Sequence, residues 1–173
     1  IKRKLNTGEY YRNLRINRNL SIDRITNNSR YLFIVGMPRC GSTLLESILS
    51  LNPQVQDLGE VCFLEESLQK NDDLIEVENL YAEKVKLINS EKKIFTDKNL
   101  FNFLYCPVIY NCFPNSRIIH CTRNPLDNIL SIYRTNFLNQ SFSSSLSDIA
   151  DLYLYQMNLM DEYKEKFGSI IYS

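Results

Sequence analysis

Tyr31-Leu32-Phe33-Ile34-Val35-Gly36-Met37-Pro38-Arg39-Cys40-Gly41-Ser42-Thr43-Leu44-Leu45 runs from an apolar strand through a loop bounded by glycines into a helix. Such a junction is how a backbone builds a cradle for phosphate. Amide N–H groups of the loop and first helical turn converge on one spot, and the helix dipole favours negative charge there.

The spacing Gly36-x-x-x-x-Gly41 matches a Walker A loop, but Ser42 stands where that motif has Lys. The loop is therefore expected to hold a phosphate without the point charge that an ATPase or GTPase applies to its β/γ-phosphates. A P-loop nucleotide kinase or NTPase remains an alternative. It is opposed by Ser42 and by the lack of an obvious Walker B strand ending in Asp.

Around this junction, 173 residues suffice for one domain with a core, and 44% apolar and 23% charged residues are ordinary globular values. A formal net charge of zero argues against a general nucleic-acid binder. Basic residues gather before the strand, from Lys2, Arg3 and Lys4 to Arg24 and Arg30, against Glu9 and Asp23. Residues 1–30 are thus read as a basic lead-in or linker and 31–173 as the domain. The five cysteines form no C-x-x-C pair, and His120 is the single histidine, so zinc spacing is absent and no metal is expected. Cys106, Cys112 and Cys121 lie in apolar stretches as small core residues. The expectation is a reducing, cytoplasmic setting, with no membrane span. The start at Ile1 and the end at Ser169-Ile170-Ile171-Tyr172-Ser173, which reads as a strand cut short, suggest that the chain continues on both sides.

Outward from the loop, strands alternate with helices. The helix after the loop is expected to bury Leu44, Leu45, Ile48, Leu49 and Leu51, and to stop at Asn52-Pro53. A short helix is expected around 61–70, and an amphipathic one from Leu74 to Asn89 through Val77, Tyr81 and Val85. Lys93–Thr96 reads as a strand. Asn99–Phe113 reads as a buried helix kinked at Pro107. Ser116–Thr122 is a core strand. Asn124 caps a helix that begins at Pro125 and turns Leu126, Ile129, Leu130, Tyr133 and Phe137 to one face. After a Ser-rich loop, Ser147 caps a long helix that Gly168 ends. The order implies an α/β fold with three layers, a mostly parallel sheet flanked by helices.

In such a sheet, ligands bind beyond the carboxyl ends of the strands. Three strands are each followed within a few residues by a cation, namely Arg39, Lys98 and Arg123. Sheet geometry brings them to one rim, which describes a site for a multiply charged anion.

Together, the Gly36–Thr43 loop, the step Thr96-Asp97-Lys98 and the segment Arg117-Ile118-Ile119-His120-Cys121-Thr122-Arg123-Asn124-Pro125-Leu126-Asp127…Ser131 resemble the PAPS-dependent sulfotransferases. The likeness is to the bacterial type that carries N-terminal TPR repeats, related to tyrosylprotein sulfotransferase, and runs from about Tyr31 onwards. It implies a P-loop-type fold and 3′-phosphoadenosine 5′-phosphosulfate (PAPS) as sulfuryl donor. The first loop of that family wraps the 5′-phosphosulfate, which maps onto Arg39, Cys40, Gly41, Ser42 and Thr43. Its second motif sets an Arg, and a Ser eight positions on, against the 3′-phosphate, and Arg123 and Ser131 have that spacing. Glu60, in Leu58-Gly59-Glu60, falls where related enzymes keep the carboxylate that takes the acceptor's proton. Lys98 would stabilise charge on the bridging oxygen, beside Arg39. His120 is declined as base, because it sits within an apolar strand.

Cys40 departs from the family's usual Ser, and the helix N-terminus with Arg39 is expected to lower its pKa. The resemblance implies a hydroxyl-bearing acceptor, whether peptide, glycan or small molecule, and no metal. The family's nucleotide-covering C-terminal loop is not among these residues, so weaker donor binding is expected of this chain alone. A non-catalytic interaction domain is the other alternative.

Overall fold

The computed structural model describes residues 30–89, 91–135 and 141–173. The basic lead-in at 1–30 therefore lies outside the described residues apart from Arg30, as does Phe137.

Five strands form one sheet: β1 (Arg30–Gly36), β2 (Val55–Asp57), β3 (Ile94–Asp97), β4 (Arg117–Cys121) and β5 (Ile171–Tyr172). Their order is β2-β3-β1-β4-β5, and every pairing is parallel. Strand β1 is central because it is apolar from Tyr31 to Val35 and can be covered on both faces, with Phe33, Ile34 and Val35 fully buried. The register sets Phe33 beside Asp97 and Gly36 beside Cys121, so the ends of β3, β1 and β4 share one rim.

Helix α1 (Ser42–Leu49) crosses from β1 over β3 to β2, while all later connections step back across the sheet. Right-handed crossovers place α1 on one face and α2 (Phe63–Lys70), α3 (Leu74–Ile88), α4 (Cys106–Cys112), α5 (Pro125–Thr135) and α6 (Leu146–Phe167) on the other. The main core lies on that second face. Tyr31, Phe33 and Val35 of β1 meet Tyr81 of α3, Ile109 of α4 and Met160 and Tyr163 of α6 there.

The expected elements are present, with four corrections. Helix α1 buries Ser42 and Glu46 rather than its leucines, leaving Leu44 68% and Ile48 56% exposed, and Leu51 beyond it is exposed as well. Helix α5 buries Asn128 and Ile132, while Leu126, Leu130 and Tyr133 face outwards. In both helices a buried polar side chain with a specific partner sets the rotation, against the count of apolar residues. The segment 99–113 is not one kinked helix. A 3-10 turn (Leu100–Tyr105) precedes α4, and Pro107 sits in the first turn of α4, where its missing N–H costs nothing. The cap of α6 is Ser145, which accepts from the Asp148 N–H, and not Ser147. Asn124 does cap α5, accepting from Leu126 and Asp127.

β3 also ends in an aspartate, so a strand of the Walker B kind does lie beside β1. Asp97 is 1% exposed and accepts from Tyr81 Oη, the Asn99 N–H and Asn102 Nδ2 at 3.0–3.1 Å. This carboxylate faces structural donors and ties α3 and the 3-10 turn to the sheet.

Burial, with a smaller push from the Glu46 charge, raises the Asp97 carboxyl from 3.8 to about 7 despite those donors. Between roughly pH 4 and 7 the folded chain holds a proton at Asp97 that the unfolded chain has released. Its contribution to stability therefore falls as pH rises through that window, by up to ~4 kcal/mol. Asp97→Asn keeps the acceptor and stays neutral. Thermal melts should show the variant gaining on wild type from pH 4 to 8, and a constant difference would refute the assignment.

Candidate active site

The loop after β1 needs unusual backbone. Gly36 (φ 151°), Arg39 (φ 66°) and Gly41 (φ 101°) have positive φ. At Gly36 a Cβ would stand 2.5 Å from the Cys121 carbonyl oxygen, so only glycine lets the loop leave the sheet that close to β4. Arg39 is a non-glycine in the left-handed region, a conformation that persists only where the surroundings enforce it. They do so from α5 and its approach. Asn128 Nδ2 donates to the Pro38 carbonyl at 2.8 Å, Arg123 Nη1 to the Arg39 carbonyl at 3.2 Å, and Arg39 Nε to Ser131 Oγ at 3.4 Å. Met37 is buried with Ile132, Leu152 and Tyr153 beneath.

Beyond the loop lies a hollow of about 500 Å³, lined by Pro38, Arg39, Gly41, Ser42, Thr43, Glu60, Cys62, Asn99, Leu100, Phe101 and Arg123. α1 starts at its wall with Gly41 as N-cap and no side-chain cap, which leaves the first-turn amides for an outside anion. Two guanidinium groups and these amides give the hollow a positive rim, with Glu60 as its carboxylate.

Lys98 is 5% exposed, and its ammonium lies 2.7 Å from Glu60 Oε1 and 3.9 Å from Glu46 Oε2. The side chain of Glu60 is 71% exposed and so reachable from solvent. Gly59 (φ 69°) makes the turn that presents it. Sequence reasoning missed Glu46, whose i+4 spacing from Ser42 on α1 was the available signal. It is 6% exposed, and Oε1 accepts from Thr96 Oγ1 at 2.9 Å and from the Gly59 N–H at 3.3 Å.

The structure thus brings Arg39, Gly41, Ser42, Thr43, Glu60 and Arg123 onto one hollow, with Lys98 bound to Glu60. Ser131 reaches Arg39 and does not line the hollow, nor does the Cys40 side chain. The Cys40 Sγ packs over Gly36, 3.4 Å from where a Cβ would be, towards Cys121. The Cys121 thiol is the chief cause that lowers Cys40 to about 7, and the Ser42 amide helps against desolvation. The direction is as expected, but the leading cause is a neighbouring cysteine and not the helix end. Cys121, read as a core residue, is half-buried. Cys106 and Cys112 are core residues.

His120 is 2% exposed, and its Nε2 lies 2.7 Å from Gln156 Nε2 on α6. Burial, aided by Lys164, lowers it to about 4, so the ring is neutral and remote from the hollow.

The sequence matches the family model described as "Sulfotransferase family" over residues 32–79 and 71–170. The chain belongs to the sulfotransferase family. The first matched segment of this sulfotransferase-family chain carries the loop and Glu60, and the second carries Lys98, Arg123 and Ser131. It is also similar to an uncharacterized protein of Aquifex aeolicus (strain VF5), 28% identical over 172 residues, covering 84% of this chain and 23% of the relative. The chain thus spans about a quarter of that relative's length. Among the described residues, no three or more His, Cys, Asp or Glu cluster so as to hold a metal ion, and no helix is long and apolar enough to cross a membrane.

Alkylation by iodoacetamide should separate the thiols. Cys40 should react with a midpoint near pH 7, while Cys106, buried and with its thiol pushed well up, stays inert until unfolding. Modification of Cys106 at the rate of Cys40 in the folded protein would contradict this placement.

Proposed function

We propose that this sulfotransferase-family chain moves a sulfuryl group from PAPS to a hydroxyl acceptor. The observation that carries the reading is the 2.7 Å Lys98–Glu60 pair at the wall of the hollow that Gly41, Ser42, Thr43 and Arg123 also line. A base and a cation in contact, beside an anion cradle, suit a reaction in which one proton leaves a nucleophile while negative charge builds on a leaving oxygen.

The donor's chemistry fits the residues present. One end of the hollow offers amide donors and Arg39 to a 5′-phosphosulfate, and Arg123 offers a planar fork to a 3′-phosphate. Ser131, held on Arg39, stands one side chain behind that wall. Glu60 accepts the acceptor's hydroxyl proton as the oxygen attacks sulfur. The bond from sulfur to the bridging phosphate oxygen breaks in line, and adenosine 3′,5′-bisphosphate leaves. Lys98, released from Glu60 as that carboxylate is protonated, meets the charge on the bridging oxygen. The loop amides, Arg39 and Lys98 provide the charge neutralisation in this scheme. The resemblance to the TPR-associated bacterial enzymes and to tyrosylprotein sulfotransferase points to an acceptor presented by a peptide or glycan. The exposed mouth at Glu60 and Cys62 is compatible with a large acceptor.

Titration should show binding of adenosine 3′,5′-bisphosphate without magnesium, and ATP–magnesium bound far more weakly. Removing the fork in Arg123→Ala should weaken the bisphosphate about 10–100-fold, the worth of a charge-assisted pair. Glu60→Gln should leave that affinity within about threefold and cut turnover about 100-fold or more. Preference for ATP–magnesium would favour a kinase or NTPase and overturn the reading.

A further inference from the structure

Glu46 is an acid buried against the sheet on a helix whose Leu44 and Ile48 face solvent. An isolated buried carboxylate is costly, so its retention calls for partners that recover the cost. Three are present: Thr96 Oγ1 at 2.9 Å, the Gly59 N–H at 3.3 Å and the Lys98 ammonium at 3.9 Å. Each belongs to a segment that ends at Lys98 or Glu60.

The peptide of Gly59 is gripped from both sides. Its N–H meets Glu46, and its carbonyl accepts from the Lys98 N–H at 2.9 Å. One residue earlier, the Leu58 N–H donates to the Thr96 carbonyl at 2.9 Å. The left-handed turn at Gly59 is therefore locked to the end of β3, and Glu60 is the next residue out. On the other side, Glu46 lies one helical turn from Ser42 at the start of the loop helix. A single carboxylate joins the loop helix to Lys98 directly and to Glu60 through the Gly59 turn.

We propose that Glu46 is a positioning residue. It fixes the Gly59 turn and the Lys98 ammonium so that Glu60 faces the hollow, and it touches neither donor nor acceptor. The proposal rests on the sulfotransferase reading for its effect on turnover, but its structural part does not.

Two sets of measurements test it on wild type, Glu46→Gln, Glu46→Ala, Glu60→Gln and the Glu46→Gln/Glu60→Gln double variant. Hydrogen exchange should show the Gly59 amide exchanging about tenfold faster or more in Glu46→Ala, with Val85 in the core unchanged, and partial recovery in Glu46→Gln, which keeps the acceptor oxygen. With PAPS and p-nitrophenol as probes, Glu46→Ala should lower kcat about 10–100-fold and the affinity for adenosine 3′,5′-bisphosphate by less than about threefold. In the Glu60→Gln background the further loss from Glu46→Gln should be smaller than in wild type, because the part of its effect that passes through Glu60 is already gone and only the part through Lys98 remains. Unchanged exchange at Gly59, or an equal loss with and without Glu60, overturns the proposal. If wild type transfers nothing from PAPS, the sulfotransferase reading fails, and the exchange result still decides whether Glu46 holds the turn.

Discussion

Two carbonyl groups carry the arrangement, those of Pro38 and Arg39. A loop that uses left-handed residues to aim its amides at the hollow must turn some carbonyls the other way, and those carbonyls need donors. Asn128 and Arg123 supply them from the segment after β4. The loop after the central strand is thereby fixed by the strand's neighbour, and the Arg123 guanidinium is held at the rim at the same time. Tyr153 Oη then donates to the Arg123 carbonyl at 3.2 Å, so α6 braces the arrangement from behind. Without that grip, neither the strained Arg39 nor the spacing between the cradle and the second guanidinium would hold.

The turn after β3 shows how densely one short segment is used. Thr96 and Asp97, the last two residues of β3, point to opposite faces, as strand residues must, and Lys98 follows directly. Thr96 meets Glu46 of α1, Asp97 meets Tyr81 of α3 on the core face, and Lys98 meets Glu60. Structural and chemical roles are thus separated by a single residue along the chain. This is why Asp97 supports the fold while its neighbour lies beside the hollow.

Much of this was legible in the sequence, because periodicity and motif spacing depend on local backbone rules. The strand–loop–helix at Gly36–Thr43, the cations at equivalent ends of β1, β3 and β4, and the cap at Asn124 were all readable. The two misread helix faces share one cause. In α1 and α5 the apolar residues predicted the wrong buried face, because Glu46 and Asn128 are held by long-range polar partners that no local pattern reveals. Leu44, Ile48, Leu126 and Leu130 are exposed as a consequence. The Cys40–Cys121 contact was hidden for the same reason, since it depends on β4 pairing with β1 at Gly36. The family match over 32–79 and 71–170 spans all of these elements but does not assign their side-chain partners.

The central claim is that the loop amides and Arg123 grip two phosphates of one nucleotide, with Glu60 directed at the reacting end. A crystal structure of the protein with adenosine 3′,5′-bisphosphate tests this most directly. The account predicts the 5′-phosphate against the amides of Gly41–Thr43, the 3′-phosphate on the Arg123 guanidinium, and Lys98 within hydrogen-bond reach of a 5′-phosphate oxygen. A nucleotide seated elsewhere, or one whose 3′-phosphate points to solvent with Arg123 unengaged, would contradict it.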